Sequence, residues 1–161
     1  MDDVDGAWSR DRAERFLRNS RIPIRLGCHT PGGGLWILSL WYRYRDGRLE
    51  CATGADARVV EYLREDPGVA FEVSTNDPPY KGVRGAGRAD LESDEDKATL
   101  RALLERYLGD TDSQLAERLL SPDREEVRIA VDVSRAYTWD FSGRMPAPDS
   151  EADDDPGTDR T

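Results

Sequence analysis

Four short segments combine residue types suited to a flat, anionic ligand: Ser39-Leu40-Trp41-Tyr42, the stretch Thr53 to Arg58 (TGADAR), the stretch Pro79 to Gly85 (PYKGVRG), and Trp139-Asp140-Phe141. A planar heteroaromatic ring needs apolar and aromatic walls with a few backbone donors and acceptors, and a strand edge such as Ser39 to Tyr42 offers both. A phosphate is favoured where unpaired N–H groups and the helix dipole point outward, and Thr53, Gly54 and Arg58 surround such a helix start. The same residues also have plain structural uses. Trp41 and Tyr42 can serve a core or an interface, and Thr53-Gly54 can be a simple capping turn.

Several other chemistries fail on composition. The single histidine, His29, and the lack of a GxSxG segment argue against a serine hydrolase, and no GxxxxGK[ST] phosphate loop is present. Gly82 to Gly87 reads GxxGxG and continues as a strand where a dinucleotide fingerprint needs a helix start. Cys28 and Cys51 belong to no CxxC pair and fall on two different predicted strands, so buried free thiols are expected and a zinc centre is not. His29 precedes Thr30-Pro31-Gly32-Gly33-Gly34 and reads as a turn residue, with an axial haem ligand as the alternative.

The elements that must position these segments follow from periodicity. Residues 8–18 suit an amphipathic helix, and Ile22, Ile24, Leu26 and Cys28 share one strand face. Leu35 to Tyr44 reads as one long strand, Asp46-Gly47 as a hairpin turn, and Arg48 to Thr53 as its partner. A helix runs from near Asp56 to before Pro67. Strands follow at Val69 to Val73 and at Lys81 to Leu91, the latter weakened by Gly82, Gly85 and Gly87, which suggest bulges or a closely approaching ligand or chain. Ser93 or Asp94 caps a helix carrying Leu100, Leu103, Leu104, Tyr107 and Leu108, and a short helix carries Leu115, Leu119 and Leu120. Val127 to Val133 and Arg135 to Phe141 read as two closing strands. The order predicts a mainly β, α+β fold: an antiparallel barrel with peripheral helices.

The 161 residues carry a net charge of -10, unevenly spread. Residues 146–161 hold six acids against Arg160 and residues 1–7 hold three acids, which leaves -2 on residues 8–145. The expected organisation is an acidic segment at 1–7, one domain at 8–145 and an acidic, disordered tail at 146–161. The body has no basic stripe for nucleic acid and no apolar run long enough for a membrane, so a soluble, cytoplasmic protein is expected.

The run GGLWILSLWYRYRDGRLECATG, then LREDPGVAFEV, then DPPYKGVRGAGRA and finally VRIAVDVSRAYTWDF resembles the pyridoxamine 5′-phosphate oxidase-like, split-barrel flavin-binding family over residues 10–142. The DPPYKGVR and TWDF segments are the most specific parts. The resemblance implies a split β-barrel of six to eight strands, a homodimer with cofactor sites at the subunit interface, and FMN or a deazaflavin as cofactor. It implies that Ser39, Leu40, Trp41 and Tyr42 lie along the isoalloxazine, with Thr53 and Arg58 near the phosphate. From the facing subunit it implies Lys81, Arg84 and Trp139. The chain departs from the family at Ala57 and Val59, where a serine and a second cation are common, and at Ser39, where a proline is. The expected activity is a flavin- or deazaflavin-dependent oxidoreductase acting on a small organic substrate. The rivals are a non-catalytic flavin or haem carrier or sensor on the same fold, and a dimer with an empty cleft.

Overall fold

A computed structural model describes residues 1 and 3–145, and the acidic tail expected at 146–161 lies outside the described residues. In chain order the elements are β1 (Asp3–Gly6), α1 (Arg10–Asn19), β2 (Ile24–His29), β3 (Leu35–Leu40), β4 (Tyr42–Arg45), β5 (Arg48–Gly54) and α2 (Arg58–Glu65). They continue with β6 (Gly68–Ser74), β7 (Lys81–Ser93), α3 (Ala98–Leu108), α4 (Gln114–Leu119) and β8 (Glu126–Asp140).

The strands form one sheet in the order β3-β2-β6-β7-β8-β5-β4, with antiparallel neighbours throughout, and β1 adds to β8 in parallel. The two ends of this path, β3 and β4, are joined in the chain by Trp41 alone. A sheet whose opposite edges are one residue apart must curl back on itself, so the barrel is closed covalently while its two edges exchange no ladder. This is a split antiparallel barrel, as expected. The long strand predicted over 35–44 is therefore two strands. Leu35 to Leu40 pair with β2, and Tyr42 to Arg45 pair with β5. The predicted turn stands between β4 and β5, with Asp46 (φ 49°) and Gly47 (φ 80°) both left-handed as a type I′ turn requires.

The two closing strands predicted at the C-terminal end are instead one strand of 15 residues. The register to β7 jumps from Ala86↔Arg135 to Gly87↔Val133, so Ser134 is an extra residue, a β-bulge whose hydroxyl donates to the Ala86 carbonyl at 3.0 Å. The bulge explains the phase change in the sequence. Val127, Ile129, Val131 and Val133 are buried before it, and Ala136 and Thr138 after it. It also turns Arg135, Tyr137 and Trp139 to the outside of the barrel. The glycines of β7 answer to a closely approaching chain: a Cβ at Gly85 would sit 2.2 Å from the Arg135 carbonyl oxygen.

The interior is filled by Ile24, Leu26, Tyr42, Leu49, Cys51, Val73, Val83, Ile129 and Val131, each fully buried. Cys28 and Cys51 are both free, buried thiols, and burial pushes that of Cys51 up to about 12. The N-terminal segment is latched to β8. Trp8 donates its backbone N–H to the Thr138 hydroxyl and its indole N–H to Asp140. Outside the barrel α3 and α4 pack Leu100, Leu104 and Ala116 against Trp41 and Ala52. The start of α3 is held by Asp94, whose carboxylate accepts the N–H groups of Thr99 and Leu100, so the predicted capping residue acts from three residues further upstream than an ordinary cap.

Candidate cofactor-binding site

The link between β3 and β4 is the focus of the first cleft. Trp41 belongs to neither strand's alternation, and its ring lies flat on Tyr107 of α3, with centroids 5.2 Å apart and planes 9° from parallel. Beside it Ser39 and Leu40 end β3, and Thr53 stands near the end of β5. Together with Arg124 and Glu126 these residues line a cleft of about 350 Å³ roofed by leucines of α3 and α4. The cleft thus offers an indole wall, two hydroxyls and a paired arginine and glutamate. Arg124 precedes β8 and pairs with the buried carboxylate of Glu126. A Cβ at Gly54 would come within 3.3 Å of its terminal nitrogen, so Gly54 leaves the guanidinium room.

Two residues expected in this group stand apart from it. Tyr42 is fully buried: its hydroxyl donates to the Leu17 carbonyl at 2.9 Å and its N–H donates to the Tyr107 hydroxyl at 3.3 Å. Burial pushes its phenol well above the usual range. Only its backbone adjoins the link at Trp41. Arg58 opens α2 with an exposed side chain and does not line the cleft, and the N-cap residue Ala57 supplies no side-chain bond. Arg124 was missed by sequence reasoning, because nothing in the loop Ser121-Pro122-Asp123-Arg124 sets it apart from the chain's many other arginines.

The second group sits on the β7–β8 ribbon. Lys81 faces Asp140, Gly82 faces Trp139 and Arg84 faces Tyr137 across the ladder. The Arg84 guanidinium lies over the rings of Tyr137 and Trp139, 5.0 and 5.4 Å from their centroids. Arg84 lines a cleft of about 640 Å³ on the outer face of the sheet, whereas Lys81 lines neither cleft. No residue lines both, so within one chain the two predicted groups are separate. Strand β3 reaches each of them, Ile37 bordering the cleft on the outer face and Ser39 and Leu40 the one at the β3–β4 link.

A third, apolar cleft of about 640 Å³ adjoins the outer one, sharing Gly27, Ile37, Ala70 and Ala86 with it. His29 stands at its margin, its Nδ1 3.0 Å from Asp66. The Gly68 N–H and the imidazole hold the Asp66 carboxyl below its ordinary range, so the carboxylate accepts and Nδ1 donates. Among the described residues no cluster of three or more His, Cys, Asp or Glu side chains could hold a metal ion.

No family model matches the sequence, and no curated protein matches it. Solved structures do. A conserved hypothetical protein, Rv2991 from Mycobacterium tuberculosis, aligns with a TM-score of 0.69 at 23% identity, over 83% of this chain and 86% of that one. A protein described as an F420 reductase aligns at 0.58 and 22% identity, over 74% and 92% of the two chains. A FAD-binding protein from Mesorhizobium loti aligns at 0.59 and 21% identity, over 80% and 92%.

Proposed function

From the pyridoxamine 5′-phosphate oxidase-like split-barrel fold that this chain has, we propose that it is a flavin- or deazaflavin-dependent oxidoreductase acting on a small organic substrate. The observation that carries the reading is the cleft at the β3–β4 link, where an aromatic wall, the Ser39 and Thr53 hydroxyls and the Arg124 cation converge. These groups fit a flat ring with an anionic tail. Ser39, Leu40 and Trp41 border the ring, with the backbone of Tyr42 beside them. Thr53 and the neighbouring Arg124 take the phosphate, and the exposed Arg58 adds its charge from outside the cleft at the helix start. When bound, the cofactor supplies the hydride or electron-pair chemistry. The chain's own residues bind and orient it, and the leucines of α3 and α4 exclude water from one side.

The protein acts in the cytoplasm as a homodimer, with no nucleic-acid or membrane partner, and Lys81, Arg84 and Trp139 of the facing subunit close the site. The dimer is supported by the apolar surface left open on the same outer face as Arg84, where Leu35 is 82% and Ile37 71% exposed. Among the described residues no helix is long and apolar enough to cross a membrane.

The test is a visible absorption spectrum of the protein purified without added cofactor, then after FMN and a deazaflavin are supplied separately. Near-stoichiometric uptake of one of them is expected. Arg124→Met should weaken uptake at least tenfold, as the loss of a charge-assisted bond of about 1.5–3 kcal/mol implies. The exposed Arg58→Ala should weaken it only a few-fold. A protein that takes up neither cofactor overturns the reading.

One observation favours a second reading, a haem carrier. His29 is oriented by Asp66 as metal-binding imidazoles commonly are, beside a cleft walled by Leu35, Trp36 and Ile37. On this reading added haem gives a sharpened Soret band that His29→Ala abolishes, and an unchanged band in that variant refutes it.

A further inference from the structure

We propose that the outer face of β2, β6, β7 and β8 carries a binding site for a small organic anion with a flat unsaturated ring, held by Arg84 and Arg135 over a floor of Gly27, Ala70 and Ala86. The cleft of about 640 Å³ is of the size that encloses small molecules. Two rows of side chains cross it. The first runs Arg25, Glu72, Arg84, Tyr137 on successive strands, and the second runs Gly27, Ala70, Ala86, Arg135. Three adjacent small residues in the second row make a floor with almost no side chain, so a ring can lie against the sheet itself.

The charges around that floor are unbalanced. Arg84 stands over the rings of Tyr137 and Trp139 and, like Arg135, makes no ion pair among the described residues. Arg25 donates to the Asn76 side chain at 2.7 Å and stands 3.9 Å from Glu72. Of the two carboxylates in the lining, Glu72 already accepts from the Ser74 hydroxyl at 2.8 Å, and Asp5 stands on β1 across the ladder from Tyr137. Three guanidiniums against two carboxylates leave a local positive excess on a chain whose net charge is -10. A neutral ligand would leave Arg84 and Arg135 without charged partners. A carboxylate, sulfonate or phosphate forms charge-assisted bonds to both, and its ring lies on the small-residue floor beside them.

In one respect the inference rests on the function proposed above: in that homodimer this cleft faces the partner's cofactor, so the anion it selects is the substrate. Binding itself needs no cofactor, which separates the two claims. The experiment is isothermal titration of the full chain with 2-naphthoate and with its uncharged analogue 2-naphthalenemethanol, before and after FMN is supplied. Saturable binding of one 2-naphthoate per chain is expected, at least tenfold tighter than the alcohol and weakened by added salt. Arg135→Met should lower that affinity at least tenfold, while Arg45→Met, on a different part of the sheet, leaves it unchanged. Circular dichroism verifies that each variant is folded. Equal affinity for the two probes overturns the proposal, as does an unchanged affinity in Arg135→Met. Displacement of 2-naphthoate by FMN also overturns it, since the cleft would then be the cofactor's own. Retention of 2-naphthoate binding by a protein that takes up no flavin supports this site and sinks the cofactor reading instead.

Discussion

The β7–β8 ribbon has two halves on the outside of the barrel, divided by the bulge at Ser134, and they treat arginine in opposite ways. In the half that faces β5, Arg48 makes a two-pronged contact with Asp132 at 2.8 and 2.6 Å and reaches Asp90 at 2.5 Å. Beside it Arg43 donates to Glu50 at 2.6 Å, and Arg128 bridges Glu50 and Glu92. In the half that faces β6, Arg84 and Arg135 lie on small residues and aromatic rings with no carboxylate partner among the described residues. The first half is a surface that satisfies itself. The second is left with charge and apolar area to offer, which is what a ligand or a second subunit can use.

The largest effect should come from breaking the alternation that turns the second half outward. Deleting Ala136, a paired residue beyond the bulge, shifts the rest of β8 by one residue, which drives Tyr137 and Trp139 inward and Thr138 outward. The expected outcome is loss of the cooperative thermal transition followed by circular dichroism, and a deletion variant that melts normally would show that register does not hold Tyr137 and Trp139 outside. Glu50→Gln should come next. Its carboxylate is 6% exposed and serves two arginines, so its neutralisation should cost about 2–4 kcal/mol in urea unfolding. Arg84→Met, by contrast, should move stability by no more than about 1 kcal/mol, because it breaks no ion pair and gives up only its contacts over the rings of Tyr137 and Trp139. Similar costs for the two variants would erase the difference between the halves.

A smaller effect is set at the end of the ribbon. Asp140 is held down to about 2, first by the Ser142 hydroxyl and then by the Ser142 N–H, the Trp8 indole and Arg12, against an ordinary value of 3.8. Its folded pKa is depressed, so between those values the unfolded chain binds more protons and stability falls as pH falls. The contribution is fully present above about pH 4 and lost as the pH approaches 2. Asp140→Asn should therefore flatten the stability profile across that window, and an unaltered slope would assign the acid sensitivity to other carboxylates.

Much of the frame was legible along the chain because alternation and turn chemistry are local. The Asp46-Gly47 turn, the Val69 to Val73 strand and the α3 stripe all stand where their patterns put them. The errors cluster where tertiary pairing intervenes. Leu35 to Tyr44 is an apolar, aromatic-rich run with no visible break, yet it divides at Trp41 because its two halves pair with different partners. At Ser134 the opposite happened: a phase change that reads as a strand end is absorbed as a bulge, since β7 continues opposite it. The N-terminal acids gave no sign that Asp3 to Gly6 joins β8.

The candidate site divides along the same line. Residue types alone singled out Ser39, Leu40, Trp41 and Thr53, and the fold gathers them in one cleft, because strand-edge aromatics and hydroxyls next to a strand-to-helix turn are recognisable in isolation. Arg124, which pairs with Glu126, and Arg135, which meets no carboxylate among the described residues, were not distinguishable among so many arginines, since a cation's role depends on whether a carboxylate stands beside it. The sequence by itself determined the alternating apolar faces, the turns and the kinds of group available to a ligand. Only the tertiary structure decided which strands the two ends of the sheet join, which arginines are neutralised and which stay open, because those are relations between residues far apart in the chain.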